Sequence, residues 1–207
     1  MELNESKKLK ETREQLLEQA RNHPLYKNVS TTNGNIVFGR GSDEAKILFI
    51  GEAPGFSENA QGKPFVGRSG KLLNGWISEL GLTENDYAIM NVVPIIPLTS
   101  DGKIRPPTQD EIDYFLPLTK KMMEKIAPKI IVPLGRSAGS IFSKSLTLGE
   151  VKRYDNYKLF FIYHPAYYLR NGADGIKDLR NLKKILKESE TEENSKIQTT
   201  LRKFNTP

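Results

Sequence analysis

The sequence predicts an α/β fold: a three-layer α/β/α domain around a central four-stranded parallel sheet. Three observations carry that prediction. Four short apolar runs begin at Ile47, Tyr87, Lys129 and Tyr157. Each lacks the polar alternation of a half-exposed strand and suits a strand buried on both faces. Helical patterns separate the runs, and alternating strands and helices build a parallel sheet covered on both sides. Finally, each run leads into unusual polar or Gly/Pro-marked residues, and the carboxyl ends of parallel strands are where α/β folds place ligands.

Residues 1–22 read as an amphipathic helix with Leu9, Leu16, Leu17 and Ala20 as its apolar set, ended by Pro24. Val29 to Gly41 reads as a loop or small hairpin, with Asn33-Gly34 as its turn signal. The run Ile47–Ile50 stops at Gly51 and leads into Glu52-Ala53-Pro54-Gly55. A helix is expected from about Ser69, its predicted N-cap, to Leu80, closed by Gly81. A strand over Tyr87–Val93 leads into a Pro-rich loop over 94–107. Thr108 and Glu111 form a T-x-x-E capping box, so the next helix begins there and ends before Pro128, with a kink expected at Pro117. A third strand, Lys129–Leu134, turns through Gly135–Ser140 into another helix N-terminus. Residues 144–156 read as a polar, basic connection, followed by a strand over Tyr157–Tyr163 and a last helix from Asp174 to about Lys187. The expected organisation is one domain over 1–190, with its core at 46–187 and a polar tail over 191–207.

Composition narrows the class. A chain of 207 residues can bury a substantial single core. A net charge of +6 suits a polyanionic partner, though charge alone is weak support. Cysteine is absent, which removes disulfides, thiol nucleophiles and thiolate-bound clusters. No apolar run reaches the ~20 residues of a membrane span. The expectation is a cytoplasmic monomer without membrane contact.

Four residues at or near these strand ends have the chemistry of a binding site. His164 directly follows an apolar strand; its ordinary alternative is a helix or turn cap. Asn91 ends a strand at the same edge and presents both a donor and an acceptor; the alternative is that it ties down the loop. Phe65 lies between glycines in Gly62-Lys63-Pro64-Phe65-Val66-Gly67, where it either stacks on a ligand or anchors the core. Glu52 is a carboxylate in the turn after the first strand, with Glu58 six residues on.

Together these words are specific. The strand with GEAPG, then GKPFVGRSGKLL, then Asn91-Val92-Val93, then HPAYYLR resemble, in order, the motifs of the uracil-DNA glycosylase superfamily. The resemblance is closest to family 4, which normally carries an iron–sulfur cluster. It spans residues 46 to 170 and implies a uracil-DNA glycosylase-like fold. It also implies hydrolysis of the N-glycosidic bond of uracil in DNA, by base flipping and water attack. On that basis His164 donates to uracil O2, Asn91 reads the base edge, and Phe65 stacks on it, with Gly51 and Ala53 shaping the pocket. Glu52 is expected to orient water or stabilise the sugar cation, with Glu58 bracing the loop; which of the two handles the water stays open. Ala53 stands where the best-known uracil glycosylases have an aspartate, so slower chemistry is expected. Arg105, Pro106, Arg136, Ser137 and Arg170 are expected to grip DNA phosphates, with Tyr168 or Leu169 wedging the duplex.

The chain departs from family 4 at the cluster. The ligand positions fall near Ala20, His23, Ile95 and Phe115, and none is cysteine. No iron–sulfur centre, other cofactor or metal is expected; apolar packing should replace the cluster. The loop over 94–107 has no histidine, which excludes the covalent-trapping variant. Rival readings are a glycosylase for hypoxanthine or xanthine, and a non-catalytic DNA-binding relative. A small-molecule hydrolase would need a G-x-S-x-G elbow, which is absent.

Overall fold

A computed structural model of the chain describes residues 2–173 and 175–188. It contains a six-stranded mixed sheet in the order β1-β3-β2-β4-β6-β5. The strands are β1 (Gly39–Gly41), β2 (Ile47–Gly51), β3 (Tyr87–Asn91), β4 (Ile130–Pro133), β5 (Val151–Tyr154) and β6 (Tyr157–Phe160). The inner four, β3-β2-β4-β6, run parallel to one another. They coincide with the four apolar runs. The two outer strands pair antiparallel, β1 with β3 and β5 with β6.

Both edge strands fall where the sequence suggested irregular chain. Their residues explain this: β1 is Gly-Arg-Gly, and Val151, Lys152 and Arg153 of β5 are all exposed. An edge strand buried on neither face has no apolar run to reveal it. The stretch read as a loop from Val29 also begins inside a short helix, α2 (Tyr26–Thr31).

Alternation along β2 divides the core. Leu48 and Ile50 point to one face, beneath α1 (Glu2–Asn22) and α5 (Gln109–Ile126), where Leu16, Ala20, Phe115, Met122 and Met123 are buried. Ile47 and Phe49 point to the other, beneath α4 (Arg68–Leu80) and the helical residues 176–188, where Leu73, Trp76 and Leu182 are buried. On α1 Leu16 and Ala20 are buried but Leu17 only half so. Two short helices complete the element order before the last one: α3 (Phe56–Gln61) and α6 (Arg136–Ser140); α7 (Pro165–Asn171) leads towards residues 176–188. The expected tail over 191–207 lies outside the described residues, as does Asp174.

Helix α5 starts at the expected capping box: Thr108 accepts from the Glu111 amide at 3.3 Å, and Glu111 accepts from the Thr108 amide at 2.8 Å. Helix α4 departs from expectation. Its N-cap is Gly67, not Ser69, because the Gly67 amide is held by the Glu58 carboxylate and the chain turns helical at Arg68.

The positions that the family resemblance assigns to cluster ligands come together in one apolar mass. Ala20, Ile95 and Phe115 are all fully buried in the same core cluster. The His23 ring lies 5.1 Å from Phe115 and 4.5 Å from Tyr114. Gln19 Nε2 donates to the Tyr114 carbonyl at 2.5 Å, so α1 is also tied to α5 by a hydrogen bond. Packing of this kind does what a staple would do: it fixes α1 on α5.

Truncating the centre of that mass tests it. Phe115→Ala should cost about 3–5 kcal/mol in urea unfolding, the range for emptying an aromatic site in a core. A loss under about 1 kcal/mol would show that α1 docks without it.

Candidate active site

The inner strands deliver their carboxyl ends to one edge of the sheet. Gly51 pairs in register with Asn91. The ladder continues beyond them, with the Val92 amide donating to the Gly51 carbonyl and the Val93 amide to the Glu52 carbonyl, both at 2.9 Å. At the next strand pair, the Gly135 amide donates to the Ile162 carbonyl at 2.9 Å, which brings His164 beside the start of α6. A cleft of about 700 Å³ opens at this edge, and Glu52, Phe65, Asn91, Arg105, His164 and Arg170 are among the residues lining it.

Two loops form its floor, and one carboxylate joins them. Glu58 Oε1 accepts from the amides of Val66 at 2.9 Å and Gly67 at 2.8 Å; Oε2 accepts from Gly55 at 3.2 Å. This is the loop-bracing geometry expected of Glu58. The clamped segment holds Phe65 at φ 53, a left-handed conformation that side chains seldom adopt and that tends to persist at functional sites. Gly70 makes that turn possible, because a Cβ there would lie 1.8 Å from the Phe65 carbonyl oxygen.

Phe65 is both of the things that the sequence left open. It is 5% exposed and packs in the core cluster, and its ring also lines the cleft. The ring stands 5.7 Å from that of His164, tilted by 35°. Gly51 permits the approach: a methyl there would sit 2.6 Å from Asn91 Oδ1 and 2.7 Å from Phe65 Cζ.

Asn91 is 4% exposed, and its Oδ1 is buried without a hydrogen-bond partner. A buried acceptor left unpaired costs about 1–3 kcal/mol. That weighs against an amide placed to tie down the loop, which would have found a backbone donor, and in favour of one awaiting a ligand.

His164 combines its two readings. It is the N-cap of α7, and its Nδ1 accepts from the Ala166 amide at 3.2 Å. That bond occupies the Nδ1 lone pair, so the neutral ring carries its proton on Nε2 and keeps a donor free. Burial pushes its pKa down to about 4, with the nearby Arg170 charge acting the same way and Glu58 opposing both. The imidazole is therefore neutral at pH 7. Burial also raises the pKa of Glu52, and a hydrogen bond with the Ser137 side chain opposes that rise.

Several expected DNA contacts require correction. Tyr168 does not wedge a duplex: it is 3% exposed, its hydroxyl donates to Asp178 at 2.6 Å, and its ring packs edge-on against Trp76. Arg105 lines the cleft, but its guanidinium is engaged bidentately by Glu111 at 2.6 and 2.8 Å and also donates to the Leu98 and Pro106 carbonyls. It shapes the loop in place of offering a free charge. Ser137 turns towards Glu52. Arg136, Leu169, Arg170 and Pro106 remain exposed, and Ala53 lines the cleft.

Sequence reasoning missed Gly70, the Arg105–Glu111 pair and the link from Ser137 to Glu52. The capping box marked Glu111, but nothing local marks a second partner for its carboxylate. Gly135 was seen only as part of a small-residue turn; at φ +91 it also leaves room for the His164 Cβ, 3.0 Å from where its own would be.

In an NMR pH titration, the His164 ring resonances should move with a midpoint near 4. Because the folded ring binds its proton more weakly than the unfolded one, this residue should lower stability progressively as pH falls from about 6.5 to 4. A midpoint at or above 6.5 would contradict the buried, neutral capping geometry.

The family model described as the uracil DNA glycosylase superfamily matches residues 38–189. A type-4 uracil-DNA glycosylase of Sulfurisphaera tokodaii is 42% identical over 168 residues, covering 74% of this chain and 71% of that protein. One from Thermotoga maritima is 33% identical over 165 residues, covering 74% and 84% respectively. A DNA polymerase of Bacillus phage SP01 is 28% identical over 173 residues, covering 80% of this chain but 18% of the polymerase. The chain belongs to the uracil-DNA glycosylase superfamily.

Proposed function

We propose that this protein is a monofunctional uracil-DNA glycosylase, which flips uracil out of DNA and hydrolyses its N-glycosidic bond to leave an abasic site. The observation that carries the proposal is the buried, unpartnered Oδ1 of Asn91 in a cleft shared with Phe65 and a neutral His164. Uracil offers N3–H and O4 along one edge. A carboxamide meets both, with Oδ1 accepting from N3–H and Nδ2 donating to O4. Cytosine presents the reverse pattern and would leave both groups opposed.

Bond breaking puts positive charge on the sugar and negative charge on the departing base. His164 Nε2–H, held in place by the helix cap on Nδ1, donates to O2 as that charge grows. Phe65 supplies the stacking face. Glu52, as an anion beside the sugar, stabilises the cation or orients the attacking water. Leu169, 41% exposed on α7, fills the gap in the stack, and Arg136 and Arg170 hold the phosphates.

The residues present do not fit an iron–sulfur cluster. Cysteine is absent from the sequence; Ala20, Ile95 and Phe115 belong to one apolar core cluster, and the His23 ring lies against Phe115. We read the enzyme as cluster-free and, in its setting, as a cytoplasmic monomer. Among the described residues, no helix is long and apolar enough to cross a membrane.

The test is release of uracil from oligonucleotides carrying it opposite guanine, opposite adenine and unpaired. Wild-type protein should leave an alkali-labile site. His164→Ala should lower kcat by about 10²–10³-fold, the usual effect of removing one donor to a developing anion. Glu52→Gln should lower it by roughly 10²-fold or more, and a near-normal rate would remove Glu52 from catalysis. Asn91→Asp should lose most activity on uracil. No release from uracil but release from hypoxanthine or xanthine would favour the altered-base reading.

The pH–rate profile supplies a second check. Glu52 acts as an anion and its pKa is raised by burial, so kcat should climb with pH through a midpoint above the ordinary glutamate range. It should not fall as pH passes 6.5, because His164 acts in its neutral form. A fall there would show that imidazolium is required.

A further inference from the structure

Six large apolar side chains are exposed among the described residues: Phe56, Ile104, Tyr114, Val151, Tyr167 and Leu169. Four of them belong to the segments that line the cleft. Tyr167 and Leu169 sit on α7 between cleft residues Ala166 and Arg170. On a separate segment, Phe56 directly follows cleft residue Gly55 and opens α3, and it is 50% exposed. Ile104 is 48% exposed and also lines the cleft. Its Cδ1 lies 3.9 Å from where a Gly55 Cβ would be, which puts it against the residue that precedes Phe56.

The position of Ile104 is built. Residues 97–105 fold back on themselves through a bridge between Leu98 and Ile104, and the Arg105 amide donates to the Pro97 carbonyl at 3.1 Å. Arg105, locked to Glu111, anchors the base of this turn. At Phe56, the Glu58 bonds to Gly55, Val66 and Gly67 hold the backbone on either side of the first turn of α3. Both apolar groups are thus held out to solvent by rigid supports. Apolar side chains exposed on segments that line a cleft mark a place where a ligand can cover them.

We propose that Phe56, at the edge of the cleft that Ile104 lines, is a stacking platform for the nucleobase adjacent to the flipped uracil on the same strand. The proposal rests on the glycosylase reading. With uracil held between Asn91, Phe65 and His164, its strand must leave the cleft past the segments that line it. The cleft, at about 700 Å³, is the size of a site for a ligand much larger than one pyrimidine. Every base has a π-face, so an aromatic rim accepts any neighbour, and sequence-tolerant stacking of this kind is how single strands are held. Phe56 then acts on the flanking nucleotide while Leu169 acts on the stack that uracil has left. The two segments divide the work, and Phe56 matters most for unpaired substrates, whose flanking bases have no duplex partner to hold them.

The test uses single-stranded oligonucleotides with one uracil, and a matched pair in which the nucleotide on its 5′ or 3′ side is a tetrahydrofuran abasic linker. The linker keeps the phosphates and removes only the base. For wild-type protein, removing the base on one side should raise KM on the order of tenfold, within the range for one base–aromatic stack. Phe56→Ala should raise KM by a similar factor with the base present and be indifferent to its removal. Phe56→Trp should restore the sensitivity. Equal loss for Phe56→Ala on both substrates would mean a phosphate or folding effect and overturn the proposal. So would wild-type kinetics in the alanine variant, or no response of wild type to the linker on either side. Failure of wild type to release uracil from any oligonucleotide would instead overturn the glycosylase reading itself.

Discussion

The site depends on the Glu58 carboxylate. Its oxygens take amides from Gly55, Val66 and Gly67 and thereby join two loops far less regular than the strands around them. Most of the local geometry follows from that join. The chain reaches Phe65 in a left-handed conformation, α4 starts at Gly67, and Gly70 must lack a side chain to let the turn pass. Gly51 must lack one too, because the ring of Phe65 is brought against it. A half-buried carboxylate satisfied by amides is a strong acceptor arrangement, stronger than neutral pairs of the same length.

Around this frame the electrostatics separate two groups by environment. His164 is driven neutral by burial and by Arg170, and Glu52 is desolvated yet tempered by Ser137. A neutral donor and a nearby anion suit a reaction in which negative charge grows on the base and positive charge on the sugar. Neither charge is supplied by the surface lysines that give the chain its basic balance. Arg105 is a further instance: the sequence makes it look like a free cation at a cleft, and the fold spends it on Glu111.

The legible part of the fold was the inner sheet: β2, β3 and β4 are buried throughout and β6 in its second half. Their runs are largely apolar, and the capping box of α5 is local, so both can be read from sequence. Strands β1 and β5 were hidden because their residues are exposed. The site was legible for the same kind of reason: Glu52, Phe65, Asn91 and His164 sit in short words next to strand ends. Tyr168 misled because its word, His-Pro-Ala-Tyr-Tyr-Leu-Arg, reads as a loop after a strand, whereas it forms α7 and turns Tyr168 to the core. Trp76 and Asp178, which claim it, are about ninety residues before it and ten after it in sequence. Long-range partners of that kind leave no local signal.

One atom, Nδ1 of His164, both caps α7 and sets the tautomer of the ring. An imidazolium cannot accept the Ala166 amide. Protonation would leave Nε2–H in place as a donor but unfasten the first turn of the helix that presents Leu169 and Arg170. At this residue acid would act mechanically, loosening the helix that faces the strand, while the loss of base release follows the separate protonation of Glu52.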